Sequence, residues 1–405
     1  MNAYEWSRAP VGIDASRWVT RTGCRTVLIV VHTIVSCQRL LDVVEYLEDD
    51  PRVQIVFTVA PDALNQGLSE YLHNLGALVL PWPQEIRERF DLALAASYGG
   101  LHELHAPLMV MAHGAGHGKP TRPTGRGGPV LAEPVVYGLD AQRLTRNGEV
   151  LAAAVVLSHD GQLDVLRRQC PAALPVAVVA GDPCFDRLVA SLAWRKRYRQ
   201  ALGVGDRQEL VVVSSTWGRD GLFGQWPDLL PLLMDQLPAQ RFRIAALLHP
   251  AVWCAHGRRQ VRAWLRDCRE AGLILLDPEE DWRSLIIAAD QVIGDHGSVF
   301  AYSAAIGRRV LHLAPGLEAV TSGSAQELVT TNASRLDPRR PLLPQLRTVR
   351  SVNHEAVAKL LTSRPGQADL VLRQTMYRLL GLTEPGRHRR TTPVPVPQLR
   401  PEARS

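Results

Sequence analysis

The chain has 405 residues, 46% apolar and 21% charged, enough for two ordinary soluble domains, each with its own core. No apolar run approaches the ~20 residues of a bilayer-spanning helix, and the N-terminus lacks the basic-then-apolar pattern of a secretory signal. A cytoplasmic protein is expected. The net charge of +6 comes from dispersed Arg, with Lys only at Lys119, Lys196 and Lys359, which argues against a nucleic-acid-binding stripe.

Residues 1–23 read as a loose lead-in. Apolar runs at 26–32, 53–60, 77–80, 90–95, 107–112, 152–157 and 176–180 read as strands. Segments with helical spacing lie between several of them, as at Leu40, Leu41, Val44 and Leu47. Nearly continuous apolar strands alternating with helices predict a parallel sheet covered on both faces. A helical stretch at 188–202 leads to a second series, with strands at 210–213, 242–248, 273–276, 291–294 and 310–313. Helices are expected there at 226–237, 256–271, 282–289 and 298–306. Residues 321–350 read as irregular, and 355–361 and 367–380 as terminal helices. The boundaries predicted are 24–190 for the first domain, 191–380 for the second, and 381–405 for a disordered Arg/Pro tail. The basic clusters at 194–199 and 387–390 read as a solvated helix face and part of that tail, with peripheral membrane contact as the alternative. The six cysteines form no CxxC pair and read as reduced thiols.

Polar turns fall at the carboxyl ends of the predicted strands, where open α/β sheets bind ligands. His113-Gly114-Ala115-Gly116-His117-Gly118-Lys119 offers close backbone approach, a base and a cation. Asp182-Pro183 reads as a helix cap with Pro in the first turn. After residues 210–213, Thr216, Trp217 and Arg219 offer a hydroxyl, a stacking face and a phosphate contact. His249-Pro250 follows 242–248. Asp295-His296-Gly297-Ser298 follows 291–294 and opens a helix whose first N–H groups and dipole suit a phosphate. No G-x-S-x-G elbow, Walker loop, dinucleotide glycine fingerprint or metal-ligand spacing is present.

Taken in order, these turns resemble the CDP-glycerol:poly(glycerophosphate) glycerophosphotransferase family. The His113–Lys119 turn is similar to its HGT-x-x-K motif, 181–186 to G-x-P-R-N-D, 215–220 to P-T-W-R, and Leu248-His249-Pro250 to H-P. Residues 282–299 are similar to its L-L-x-x-x-D-x-L-I-T-D-Y-S-S-V. Cys184-Phe185 stands where the family has Arg-Asn, His296 where it has an aromatic, and Gly297 where it has Ser. The nucleotide-sugar 2-epimerases share only the last of these motifs.

The resemblance implies a GT-B protein, two Rossmann-like parallel-sheet domains facing a cleft. It implies a transferase moving a glycerophosphate-type or glycosyl group from a nucleotide-activated donor, such as CDP-glycerol or a UDP- or GDP-sugar, to an acceptor hydroxyl, with no obligatory metal. His113 would be the base and His249 would steady the donor phosphates. Gly114, Lys119, Thr216, Trp217, Arg219, Asp295, His296, Gly297 and Ser298 would hold the nucleotide. The alternatives are an epimerase, for which Asp160, Asp182 and Glu133 are the candidate acid/base groups, and a catalytically silent module binding a nucleotide or a partner protein.

Overall fold

Two all-parallel sheets form where the apolar runs predict them. The computed structural model describes residues 9–12, 15–120, 135–313 and 320–398. The first sheet is built from β1 (Arg25–Val31), β2 (Val53–Val59), β3 (Val79–Leu80), β4 (Leu92–Ala95) and β5 (Leu108–Met111). A two-stranded hairpin of β6 (Thr145–Arg146) and β7 (Glu149–Val150) interrupts it before β8 (Ala154–Leu157) and β9 (Ala177–Val179) complete it. That hairpin turns on Asn147-Gly148, both at positive φ, as a two-residue turn of this type requires. The strand order is β3-β2-β1-β4-β5-β8-β9. Val27 to Val31 are all at 0% exposure, which is why this strand reads as a continuous apolar run.

The second sheet contains β10 (Glu209–Ser215), β11 (Phe242–Leu248), β12 (Ile274–Leu275), β13 (Gln291–Gly294), β14 (Arg309–His312) and β15 (Ser334–Arg335). Its order is β12-β11-β10-β13-β14-β15, so the direction of strand addition reverses between β10 and β13. In a doubly wound sheet, the crevice outside the carboxyl ends of those two strands is the ligand position. Both sheets therefore carry Rossmann-type order.

The chain divides into two units: Met1–His117, Thr121–Cys184 and Thr362–Thr391, and Gly118–Pro120, Phe185–Leu361 and Thr392–Ser405. This differs from the predicted boundaries at three places. The helix Ala368–Leu380 belongs to the first unit, where Leu372, Met376, Tyr377 and Leu380 join the core of β1 and the helix Ile34–Val44. The segment expected to be a disordered tail has a defined path in its described part, residues 381–398. Val394 is wholly buried in the second unit, its N–H donating to Ser191 Oγ and its carbonyl accepting from Tyr198. In the lead-in, Ala9 and Val11 are buried against the first sheet. Burying one Val or Leu side chain is worth about 1.5–3 kcal/mol, enough to fix an otherwise Pro- and Arg-rich strand of chain.

Three helical expectations also change. The 188–202 stretch is Pro183–Ser191, a 3-10 turn and Arg195–Ala201, and 256–271 breaks at Leu265. The segment read as irregular holds Ala325–Asn332, capped by Ser324, and Leu342–Arg347. Part of each basic cluster is paired within its own unit: Arg195 and Arg199 both pair with Asp290, and Arg389 lies 3.4–3.8 Å from Glu45, Glu48 and Asp49. Burial alone would raise the Asp290 pKa, but the Leu210 N–H and the two arginines outweigh it and hold it below its ordinary value. Among the described residues, no helix is long and apolar enough to cross a membrane.

Glu85, at 0% exposure, has no hydrogen-bond partner on either carboxylate oxygen among the described residues. Burial, with Glu88 adding to it, pushes its pKa up to about 8. A carboxyl whose folded pKa is raised costs stability as pH climbs from its unfolded value, about 4.3, towards 8. Glu85→Gln should therefore stabilise the protein over the wild type increasingly between pH 5 and pH 8, as read by urea midpoints. A pH-independent difference would refute the ionisation account.

Candidate nucleotide and acid-base site

The second unit brings the predicted strand-end turns together around one carboxylate. Asp295 follows β13, at 1% exposure. Its Oδ2 accepts from Thr216 N (2.7 Å), Thr216 Oγ1 (2.7 Å) and Leu222 N (3.1 Å). Its Oδ1 accepts from Gly297 N at 3.1 Å, an Asx turn. Asp295 is thus not the ligand contact that its place in the turn suggests. It ties the β10 turn to the β13 turn, and Thr216 is drawn inward by the same bonds. An acid committed in this way leaves the phosphate role to its neighbours.

Those neighbours have the geometry for it. Gly297 is the N-cap of the helix Ser298–Ala305, which puts Ser298 in the first turn, where backbone N–H groups have no intrahelical acceptor. A Cβ on Gly297 would fall 2.8 Å from Thr216 Cγ2, and one on Gly294 would fall 2.6 Å from Phe300. Both glycines are therefore required by close approach. Trp217 is half exposed, and the Arg219 side chain is almost fully so, 3.8 Å from Asp220. A stacking face and a cation thus stand beside the turn.

His249 directly follows β11, next to β10, and its backbone N–H donates to Ser215 O. Its Nδ1 accepts from Ala251 N at 3.1 Å, capping the helix Pro250–His256. A ring nitrogen that accepts has no proton, so neutral His249 carries its N–H on Nε2, the form that donates to a phosphate oxygen.

The first unit holds the base candidate. His113, two residues past β5, has Nδ1 2.8 Å from the Ala96 carbonyl. That carbonyl can only accept, so Nδ1 carries the proton and Nε2 the lone pair, the tautomer a general base needs. Two residues in this short turn carry tight contacts. Gly116 sits at φ +60, a conformation that side-chain-bearing residues rarely adopt, and a Cβ there would stand 2.9 Å from Gln162 Nε2. The His117 ring bonds the Tyr137 carbonyl through Nδ1, and burial pushes its pKa down to about 4. The motif divides between the units: Gly118–Pro120 belongs to the second, where Gly118 O accepts from Thr321 N.

No protein-family model matches the sequence, and no curated protein matches it significantly. Among solved structures, the wall teichoic acid polymerase TagF superposes with a TM-score of 0.57 at 12% identity, covering 88% of each chain. The UDP-GlcNAc 2-epimerase from Neisseria meningitidis, bound to UDP-GlcNAc, gives 0.50 at 15% identity, covering 88% of this chain and 99% of that one. The chain has the GT-B fold.

Within this GT-B chain the epimerase acid/base candidates fare poorly. Asp182 is at 1% exposure, pairs with Arg39 at 2.8 Å, and caps its helix by accepting from Cys184 N at 2.9 Å. Asp160 lies on the surface, 3.8 Å from Arg364. Glu133 lies outside the described residues. Among the described residues no cluster of three or more potential metal ligands occurs.

Two site residues escaped the sequence reading. His312 ends β14 opposite Gly294 and is at 2% exposure, its ring 6.0 Å from that of Phe300. Burial, then Arg335 and His296, hold its pKa below the ordinary value against the pull of Asp295. Arg39, in the helix Ile34–Val44, reaches the Gly114 carbonyl. The only sequence signal for Arg39 was a charge on the apolar face of an amphipathic helix, among Leu40 and Val43.

Proposed function

We propose that this protein is a nucleotide-dependent transferase. Its second unit holds the diphosphate of an activated donor at Gly297 and Ser298, with His249 and Arg219 as further phosphate donors and Trp217 stacking on the base. His113 takes the proton of an acceptor hydroxyl as that oxygen attacks the donor. The leaving nucleotide departs with the electron pair of the broken bond, and the helix N-terminus relieves its charge. The observation that carries this reading is the Asp295 tether, which sets the helix start and the Thr216–Trp217 turn side by side at the β10/β13 reversal.

The donor supported by the sequence resemblance is CDP-glycerol, with UDP- or GDP-sugars as the other class. TagF is a wall teichoic acid polymerase, and the order of the turns matches that kind of enzyme better than the epimerase. Glycerophosphate transfer from CDP-glycerol breaks the P–O–P bridge and frees CMP, whereas glycosyl transfer frees UDP or GDP. Incubating the protein with each donor and separating free nucleotides by chromatography decides the class. CMP release that depends on a polyol acceptor supports glycerophosphate transfer, and conversion of a UDP-sugar without nucleotide loss would instead show an epimerase.

Trp217→Ala removes a half-exposed ring. We expect the folding midpoint to be unchanged and the donor Kd to rise about fivefold, the ~1 kcal/mol of one stacking contact. Unchanged affinity by calorimetry would remove Trp217 from the base site.

A further inference from the structure

We infer that Arg39 is a positioning residue that holds the His113 turn in its base-competent form. This inference rests on the transferase reading for its consequence in turnover, but not for its geometry. Arg39 is at 5% exposure. Its Nη1 donates to Asp182 Oδ1 at 2.8 Å, and its Nη2 donates to the Gly114 carbonyl at 2.9 Å. A single guanidinium therefore joins three pieces of chain: the helix after β1, the turn after β5, and the turn after β9.

The planar fork matters, since it fixes two acceptors at once in a direction that a flexible ammonium does not reproduce. Gly114 is the peptide immediately after His113, so clamping its carbonyl restricts the backbone that carries the imidazole. The Ala96 carbonyl fixes the ring from the other side through Nδ1. Asp182 is itself held, because the same Oδ1 takes the Cys184 N–H at the start of the helix Pro183–Ser191. The clamp also borders a small crevice lined by Gly114, Gly116, Ser158 and Asp182 over Met111 and Leu372. With the ring held at one end and its backbone at the other, the Nδ1–H tautomer is kept, the form with its lone pair on Nε2.

The test uses the full chain labelled with 15N-histidine. In the wild type, imidazole 15N shifts should show His113 with Nδ1 protonated and Nε2 bare. Arg39→Met should give the averaged shifts of exchanging tautomers and lower turnover about 100-fold, with the donor Kd within twofold of wild type. Arg39→Lys keeps a charge against Asp182 and so guards against loss of folding. It should change the same readouts in the same direction, with turnover down about tenfold. If either variant, folded by near-UV circular dichroism, keeps the single-tautomer pattern, the positioning role is overturned. If no donor supports turnover at all, the transferase reading fails while the 15N pattern still decides the role of Arg39.

Discussion

His113→Ala should lower transfer turnover about 10²- to 10⁴-fold, the usual contribution of a general base, while leaving donor affinity within twofold. The expectation follows from where the two functions sit. The imidazole belongs to the first unit and is oriented by the Ala96 carbonyl at 2.8 Å. The turns assigned to the donor, at Thr216, His249 and Gly297, belong to the second. A base acts only on the proton moved in the transition state, so its loss lowers kcat without weakening ground-state binding. His249→Ala should show the converse pattern, with donor affinity reduced, because its Nε2–H is assigned to a phosphate. Steady-state rates paired with calorimetry separate the two. Equal turnover in His113→Ala and wild type would remove the base.

Asp295→Asn should destabilise the second unit by about 3 kcal/mol. The carboxylate serves four donors, three on Oδ2 and one on Oδ1. An amide must turn its NH2 towards one of these sets, and the geometry favours placing it against the single Gly297 N–H. That sets two donors against each other in a buried site, while the other three bonds lose their charge assistance. For a unit of this size, a drop of about 6–12 °C in melting temperature is expected. Donor binding should fall with it, because the Thr216 and Gly297 turns are no longer tied. An Asn variant that melts and binds like the wild type would show that the tether is dispensable.

Strands buried on both faces were readable because burial forces a run of apolar residues. Val27 to Val31 and residues 244–248 are of this kind. The turn at 295–298 was readable because Gly and small polar residues at a strand end have few other uses. Ala325–Asn332 was not, since its Gln, Thr and Asn residues give no apolar stripe, and its Ser324 cap shows only in the coordinates. Val394 and Val396 alternate with prolines, and nothing local announces that Val394 is buried while Val396 is exposed. The amphipathic face of Ala368–Leu380 shows that this helix packs against something, but spacing alone does not name the first unit as its partner. The same holds within the site. An acid before a phosphate turn reads as a contact, and only the distances reveal that Asp295 spends both oxygens inside the protein.

Titration calorimetry with CDP-, UDP- and GDP-linked donors, comparing wild type with Gly297→Ala, decides whether the Gly297–Ser298 turn holds a nucleotide diphosphate. A Cβ there would stand 2.8 Å from Thr216 Cγ2, so the turn must shift and its N–H groups leave their position. We predict that at least one donor binds the wild type and that Gly297→Ala weakens it about tenfold, or 1.4 kcal/mol. Binding of no donor, or binding that the substitution leaves unchanged, would contradict the account.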